Sequence, residues 1–187
     1  MIRRLLLGLL LGLLVSQADA AARFARCTTT CTWNTTASWS TASGGGTGAS
    51  VPGSADDVTF DAATCTGGTT CTMTVDATVN VLSITMGACT ASTTGCIVDF
   101  SVNNNTVNIG PSTTPFNNSG TGTRNLKMGS GTWTLSTSAG SNIWNQATTT
   151  NLTFAANTST IVLTSTATGI NAGASTVAFT PFATQTV

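Results

Sequence analysis

The sequence predicts an all-β protein, a right-handed parallel β-helix, from three observations. Short runs rich in Val, Ile, Thr, Phe and Trp recur between clusters of Gly, Asn and Ser, the composition of strands punctuated by turns. Beyond residue 20 no stretch carries a helical apolar period backed by good helix formers. A pattern also returns: Asn125-Leu126-Lys127-Met128 followed by Thr132-Trp133-Thr134-Leu135 is echoed by Asn151-Leu152-Thr153-Phe154 followed by Thr160-Ile161-Val162-Leu163. The offset is 26 residues for the first strand (126 to 152) and 28 for the second (135 to 163). A unit of that size holds a few short strands with one or two inward apolar residues each and cannot bury its apolar face alone, so units must stack. A β-sandwich is the runner-up, because short, evenly spaced strands also build sandwiches; a sandwich needs no such period.

Taken in chain order, residues 1–20 read as a secretory signal peptide. Arg3 and Arg4 precede an apolar run from Leu5 to Val15, and Ala18-Asp19-Ala20 supplies a small-residue cleavage site. The run is too short to cross a ~30 Å hydrocarbon core, which needs about 20 residues, so no permanent membrane span is expected. Residues 21–57 form a Trp- and Cys-containing N-terminal cap and a Gly/Ser/Thr-rich loop. Residues 58–187 are assigned to the coils of the solenoid, with alternation at Val58-Thr59-Phe60, Met73-Thr74-Val75, Leu82-Ser83-Ile84-Thr85-Met86 and Val107-Asn108-Ile109. Near Thr180-Pro181-Phe182 no polar end cap is evident, which suggests a short relative, a fragment, or a subunit continued by a partner through its strand edge.

Six cysteines, Cys27, Cys31, Cys65, Cys71, Cys89 and Cys96, follow the signal peptide, an even number that reads as three disulfides in an oxidising compartment. The sequence-local pairing is favoured among the 15 that six cysteines allow, since Cys65 and Cys71 bracket a turn-like Thr66-Gly67-Gly68-Thr69-Thr70 and Cys89 and Cys96 bracket a similar loop. Such short loops contribute about 2 kcal/mol each in the chain-entropy model, so they pin excursions more than they create the fold. The spacings lack the C-x-x-C knuckles of a structural zinc site, and no metal is expected.

After cleavage, Asp56, Asp57, Asp61, Asp76 and Asp99 face Arg23, Arg26, Arg124 and Lys127. That is five against four, a net charge near −1. So few cations cannot supply the phosphate neutralisation that drives nucleic-acid binding. There is no His, Glu or Tyr, which excludes histidine triads and histidine zinc sites. No cofactor is expected.

The segment Thr32-Trp33-Asn34-Thr35-Thr36-Ala37-Ser38-Trp39-Ser40, followed by Val51-Pro52-Gly53-Ser54-Ala55-Asp56-Asp57-Val58-Thr59-Phe60-Asp61 and later Thr74-Val75-Asp76, resembles the opening of autotransporter and adhesin-like parallel β-helix proteins of bacterial and phage-like surfaces. Gly131-Thr132-Trp133-Thr134-Leu135 and Ile143-Trp144-Asn145 resemble strand repeats of the same class. The resemblance implies a β-helix at a cell surface and says little of activity. The chain departs from it in its three cysteine pairs and in having no C-terminal β-barrel segment.

The candidate site residues each have a plain structural reading. Asp56, Asp57 and Asp61 are possible calcium ligands, and Asp76 and Asp99 possible members of a catalytic carboxylate group with Arg124 or Lys127; Asp before a strand more often bonds local backbone. Trp33, Trp39, Trp133 and Trp144 either stack on sugars or fill the core. Asn103-Asn104-Asn105 is a stacked ladder or a loop. Thr72/Thr74, Thr132/Thr134 and Thr158/Thr160 have the T-x-T spacing that an ice-binding face would use, and also that of ordinary outward strand residues. The expected function is a noncatalytic exported structural or adhesive solenoid of the cell surface or extracellular space, self-associating or contacting surface glycans. A polysaccharide-active β-helix enzyme and a glycan- or ice-binding module are the alternatives.

Overall fold

A computed structural model of the chain describes residues 20–67, 70–87, 89, 95–138, 142–164 and 169–171, with the backbone of 184–186. Residues 1–19, nearly all of the segment read as a signal peptide, and Thr180-Pro181-Phe182 lie outside the described residues. Every regular element among those residues is a β-strand except one 3-10 turn at Thr36–Ser38.

The strands form three sheets whose neighbours are not consecutive in sequence. The first sheet contains β1 (Ala22–Ala25), β3 (Trp39–Ser40), β4 (Asp57–Phe60), β7 (Ser83–Met86), β10 (Phe116–Asn117), β13 (Trp144–Asn145) and β16 (Ile170–Asn171). The second contains β2 (Thr30–Thr32), β5 (Cys71–Thr74), β8 (Cys96–Asp99), β11 (Arg124–Lys127) and β14 (Leu152–Ala155). The third contains β6 (Val79–Val81), β9 (Val107–Ser112), β12 (Thr132–Thr137), β15 (Thr160–Leu163) and β17 (Thr184–Thr186). The chain therefore visits the first, second and third sheets in turn and then climbs one level. This is a parallel β-solenoid of about four turns, with the sandwich excluded by the parallel register of each stacked pair.

Register follows the side-chain alternation of each strand, since a slip by one residue would turn the apolar set outward. Val58 stacks on Ile84, Met73 on Val98 and Val79 on Val107, and all six are buried. The segment 21–57 contributes strands to these same sheets: β1 pairs in parallel with β4 and β2 with β5. Its β3 folds back antiparallel on β1 and closes one edge of the first sheet.

A file of aromatic rings runs through the core. Trp33 lies 4.8 Å from Trp39 and 6.4 Å from Phe100; Phe100 lies 4.5 Å from Trp133. Phe116 is 5.8 Å from Trp133 and 4.3 Å from Trp144. Rings from successive turns thus touch, which ties the turns together by contacts beyond area burial alone. All four tryptophans are at most 1% exposed. They are core residues, and Trp39 Nε1 donates to the Trp33 carbonyl at 2.7 Å, satisfying its polar edge in the interior.

The three cysteine pairs are the sequence-local ones, Cys27–Cys31, Cys65–Cys71 and Cys89–Cys96, with Cα separations of 5.5, 5.4 and 5.6 Å. All occupy the corner between the first and second sheets: Cys27 bridges Cys65, and Cys71 pairs with Cys96. The disulfides form a column, one per turn, each closing the excursion at that corner.

Candidate functional site

The aspartates do not converge. Asp56 accepts from the Gly53 amide at 2.8 Å and faces Arg23 at 3.6 Å. Asp57 accepts from the Ser83 hydroxyl, and Asp61 accepts from the Ala63 amide at 2.9 Å. Asp76 accepts from the Asn34 amide at 2.8 Å. Asp99, at the end of β8, accepts from the Ser101 amide and hydroxyl at 2.9 and 2.6 Å and from Lys127 Nζ at 3.1 Å. Burial pushes the Asp99 carboxyl up, but the Ser101 and Lys127 bonds outweigh it and hold the group below its ordinary value. Asp61 fastens its own turn, the common local use of Asp, whereas Asp56, Asp57, Asp76 and Asp99 also tie one turn of the solenoid to another. No group of three or more Cys or Asp side chains among the described residues has the geometry to hold a metal ion.

Arg124, the other candidate partner for a carboxylate, is fully buried. Its guanidinium donates to Asn118 Oδ1 at 2.9 Å, to the Gly122 carbonyl at 2.9 Å, to the Thr148 carbonyl at 2.8 Å and to the Gly120 carbonyl. Burial lowers its pKa from the ordinary arginine value. Its donors are spent on backbone and amide oxygens, so it is a structural pin. Asn103, Asn104 and Asn105 lie in a loop: Asn103 and Asn105 donate to the Val75 carbonyl at 3.3 and 3.2 Å, and Asn104 accepts from the Ser130 amide at 2.7 Å.

The regular chemistry of the surface lies on the third sheet. Val79, Val107 and Trp133 stack in register and point inward, so the residues before them, Thr78, Thr106 and Thr132, form one outward column. Thr160 continues it, and Thr184 holds the next backbone position. A second outward column runs Asn80, Asn108, Thr134 and Val162, with Asn108 Nδ2 donating to Asn80 Oδ1 at 2.8 Å. No strand of this sheet carries a charged residue. Alternate residues are ~6.6 Å apart along a strand and turns ~4.8 Å apart, so hydroxyls and amides repeat across the face in two directions as far as Val162, which ends the second column in an apolar side chain. The T-x-T pair Thr132/Thr134 belongs to it; Thr72/Thr74 lies on the second sheet, and Thr158 precedes β15. On the first sheet Thr59, Thr85, Asn117, Asn145 and Asn171 align similarly, and Asn145 Nδ2 donates to Asn117 Oδ1 at 3.2 Å.

One groove of about 690 Å³ opens beside β2, between Thr28, Thr30 and Thr32 on one side and the loop carrying Gly45, Gly46 and Thr47 on the other. Arg26 lines it. Sequence reading passed over this residue, because its surroundings depend on a loop returning from 45–47 and a turn at 63–66.

The chain is thus a disulfide-stapled parallel β-solenoid with ladder-bearing faces. No family model, curated protein or solved structure matches it. Among the described residues no helix is long and apolar enough to cross a membrane.

Proposed function

We propose that the protein is an exported, noncatalytic β-solenoid of the cell surface or extracellular space that contacts other surfaces through its third sheet. The observation that carries this reading is the uncharged lattice of Thr78, Thr106, Thr132, Thr160, Asn80, Asn108 and Thr134. A flat repeat of donors and acceptors suits a partner that is itself repetitive, such as a polysaccharide surface. Paired cysteines favour an oxidising compartment, and the layout of residues 1–20 favours export. The separate structural duties of the five aspartates, each bonded to partners of its own, support a noncatalytic role over a polysaccharide-degrading one. The test is adsorption of oxidised protein lacking residues 1–20 to solid polysaccharides. A Thr132→Lys/Thr160→Lys variant should lose at least tenfold in retention, whereas Thr153→Lys, on the second sheet, should retain it. Equal retention by both variants, or depolymerisation of the polysaccharide that Asp→Asn changes abolish, would reject this reading.

A second reading is favoured by the same lattice: hydroxyls repeating in two directions on a face without charge can order water, and so bind ice. Thermal hysteresis and inhibition of ice recrystallisation by the wild type, both lost in Thr132→Lys/Thr160→Lys, would select it over adhesion.

A further inference from the structure

We propose that the groove beside β2 is a binding site for an acidic saccharide, with Arg26 as its anion-recognising residue. This deepens the surface-contact reading above, but it rests on a different part of the molecule.

The cations among the described residues have different fates. Arg23 faces Asp56, Lys127 is paired with Asp99, and Arg124 is buried among oxygens of its own and the following turn. Arg26 alone lies in a groove, with no carboxylate of the described residues within ion-pair distance. Its backbone is fixed by its amide donating to the Ser38 carbonyl at 2.9 Å, next to a disulfide-bonded Cys27. Its Nη1 donates to the Ala63 carbonyl at 2.6 Å, which holds the guanidinium plane, and its Nε is buried without a partner. A guanidinium offers five donors in a rigid fork. One bond to a carbonyl leaves the fork able to take a carboxylate or sulfate, the groups it matches geometrically.

The walls specify the rest of the ligand. No acidic residue among the described ones lines the groove, and Thr28, Thr30, Thr32, Thr35 and Thr47 do. Thr32 and Thr35 bond each other at 2.7 Å, and Thr28 and Thr66 at 3.2 Å, which orients the rim. Trp33 and Trp39 lie beneath in the core and offer no stacking platform. A site of hydroxyls with one cation and no aromatic plate suits a hydroxyl-rich anion recognised by hydrogen bonds. The volume, about 690 Å³, is within the range of small-ligand clefts.

The test is calorimetric titration of the oxidised protein with a galacturonate tetramer, a sulfated galactan tetramer and neutral cellotetraose. Binding of at least one anionic oligomer is expected, at least tenfold tighter than cellotetraose and weakening with salt. Preference for the galacturonate or for the sulfated oligomer identifies the anionic group. Arg26→Gln should abolish the anion preference, Arg26→Lys should recover only part of it, and Arg23→Gln should leave it intact. The exposed Thr30→Val change removes a rim hydroxyl at constant shape and should weaken binding several-fold, so the site is tested even if Arg26→Gln fails to fold. No anionic binding, equal binding of the neutral oligomer, or binding that survives both Arg26→Gln and Thr30→Val would overturn the proposal. Adsorption to solid polysaccharide is measured on the same variants. Loss of groove binding with adsorption retained separates failure here from failure of the third-sheet reading.

Discussion

Arg124 occupies the register position of Cys96 one turn further along the solenoid. The column that begins with Cys71 and Cys96 continues through Arg124 to Leu152. Where the disulfides run out, a buried guanidinium gathers the same corner by donating to Asn118, Gly120, Gly122 and Thr148. One residue before, Gly95 adopts φ +62° and packs so close to the Thr123 carbonyl that a side chain would strike it. The turns therefore meet tightly at this corner.

Arg124→Met should accordingly destabilise the protein by about 3 kcal/mol, from several buried oxygens left unpaired. Arg124→Lys should recover little of this, because an ammonium lacks the planar fork. Urea unfolding midpoints of the two variants provide the check.

A Cys65→Ser/Cys71→Ser pair should lose about 2 kcal/mol while keeping the strand content, since the bond closes a short corner loop and not the fold. Circular dichroism and urea titration read both parts. Mapping of non-reduced peptides should return the three local pairs.

Asp99 links stability to pH. Its folded pKa lies below the ordinary value, so its stabilising contribution is present above the unfolded value of ~3.9 and is lost as pH falls through the folded one. Asp99→Asn should cost about 1–2 kcal/mol at pH 7, and the difference from wild type should narrow below pH 4. A constant difference across that range would contradict the assignment.

The tryptophans should emit at short wavelength and resist quenching by iodide, because all four are at most 1% exposed. Trp133→Ala should cost about 3–5 kcal/mol. Trp133→Phe should cost less, since Trp133 Nε1 is buried without a hydrogen-bond partner among the described residues and its removal offsets part of the lost volume.

Strand character is legible because alternation is local, and the solenoid because the step from Leu135 to Leu163 is the 28 residues that the stacked strands share, Arg124 to Leu152, Trp133 to Ile161 and Phe116 to Trp144; the 26-residue echo of Leu126 at Leu152 is not the structural register, which seats Leu126 on Phe154. Earlier turns obscure the period, with a step of 25 from Cys71 to Cys96 and 32 from Ile84 to Phe116, as corner loops vary in length. The threonine column escaped for the same reason. Its steps of 28, 26 and 28 (78 to 106, 106 to 132, 132 to 160) are visible only once the valines and Trp133 fix the register. Arg26 and Arg124 carry no local signal at all: one is defined by a groove and the other by a column, and both are products of folding.

The matching register of one turn on the next also makes length an inheritable quantity. Removal of residues 124–151 would join Thr123 to Leu152 and seat Leu152 on Cys96, Ile161 on Val107 and Ile170 on Phe116, because every column moves by one whole level. A gene encoding such a chain can shorten or grow by duplication or loss of a single block without designing a new core. The length of the solenoid can thus change faster than its surface chemistry does.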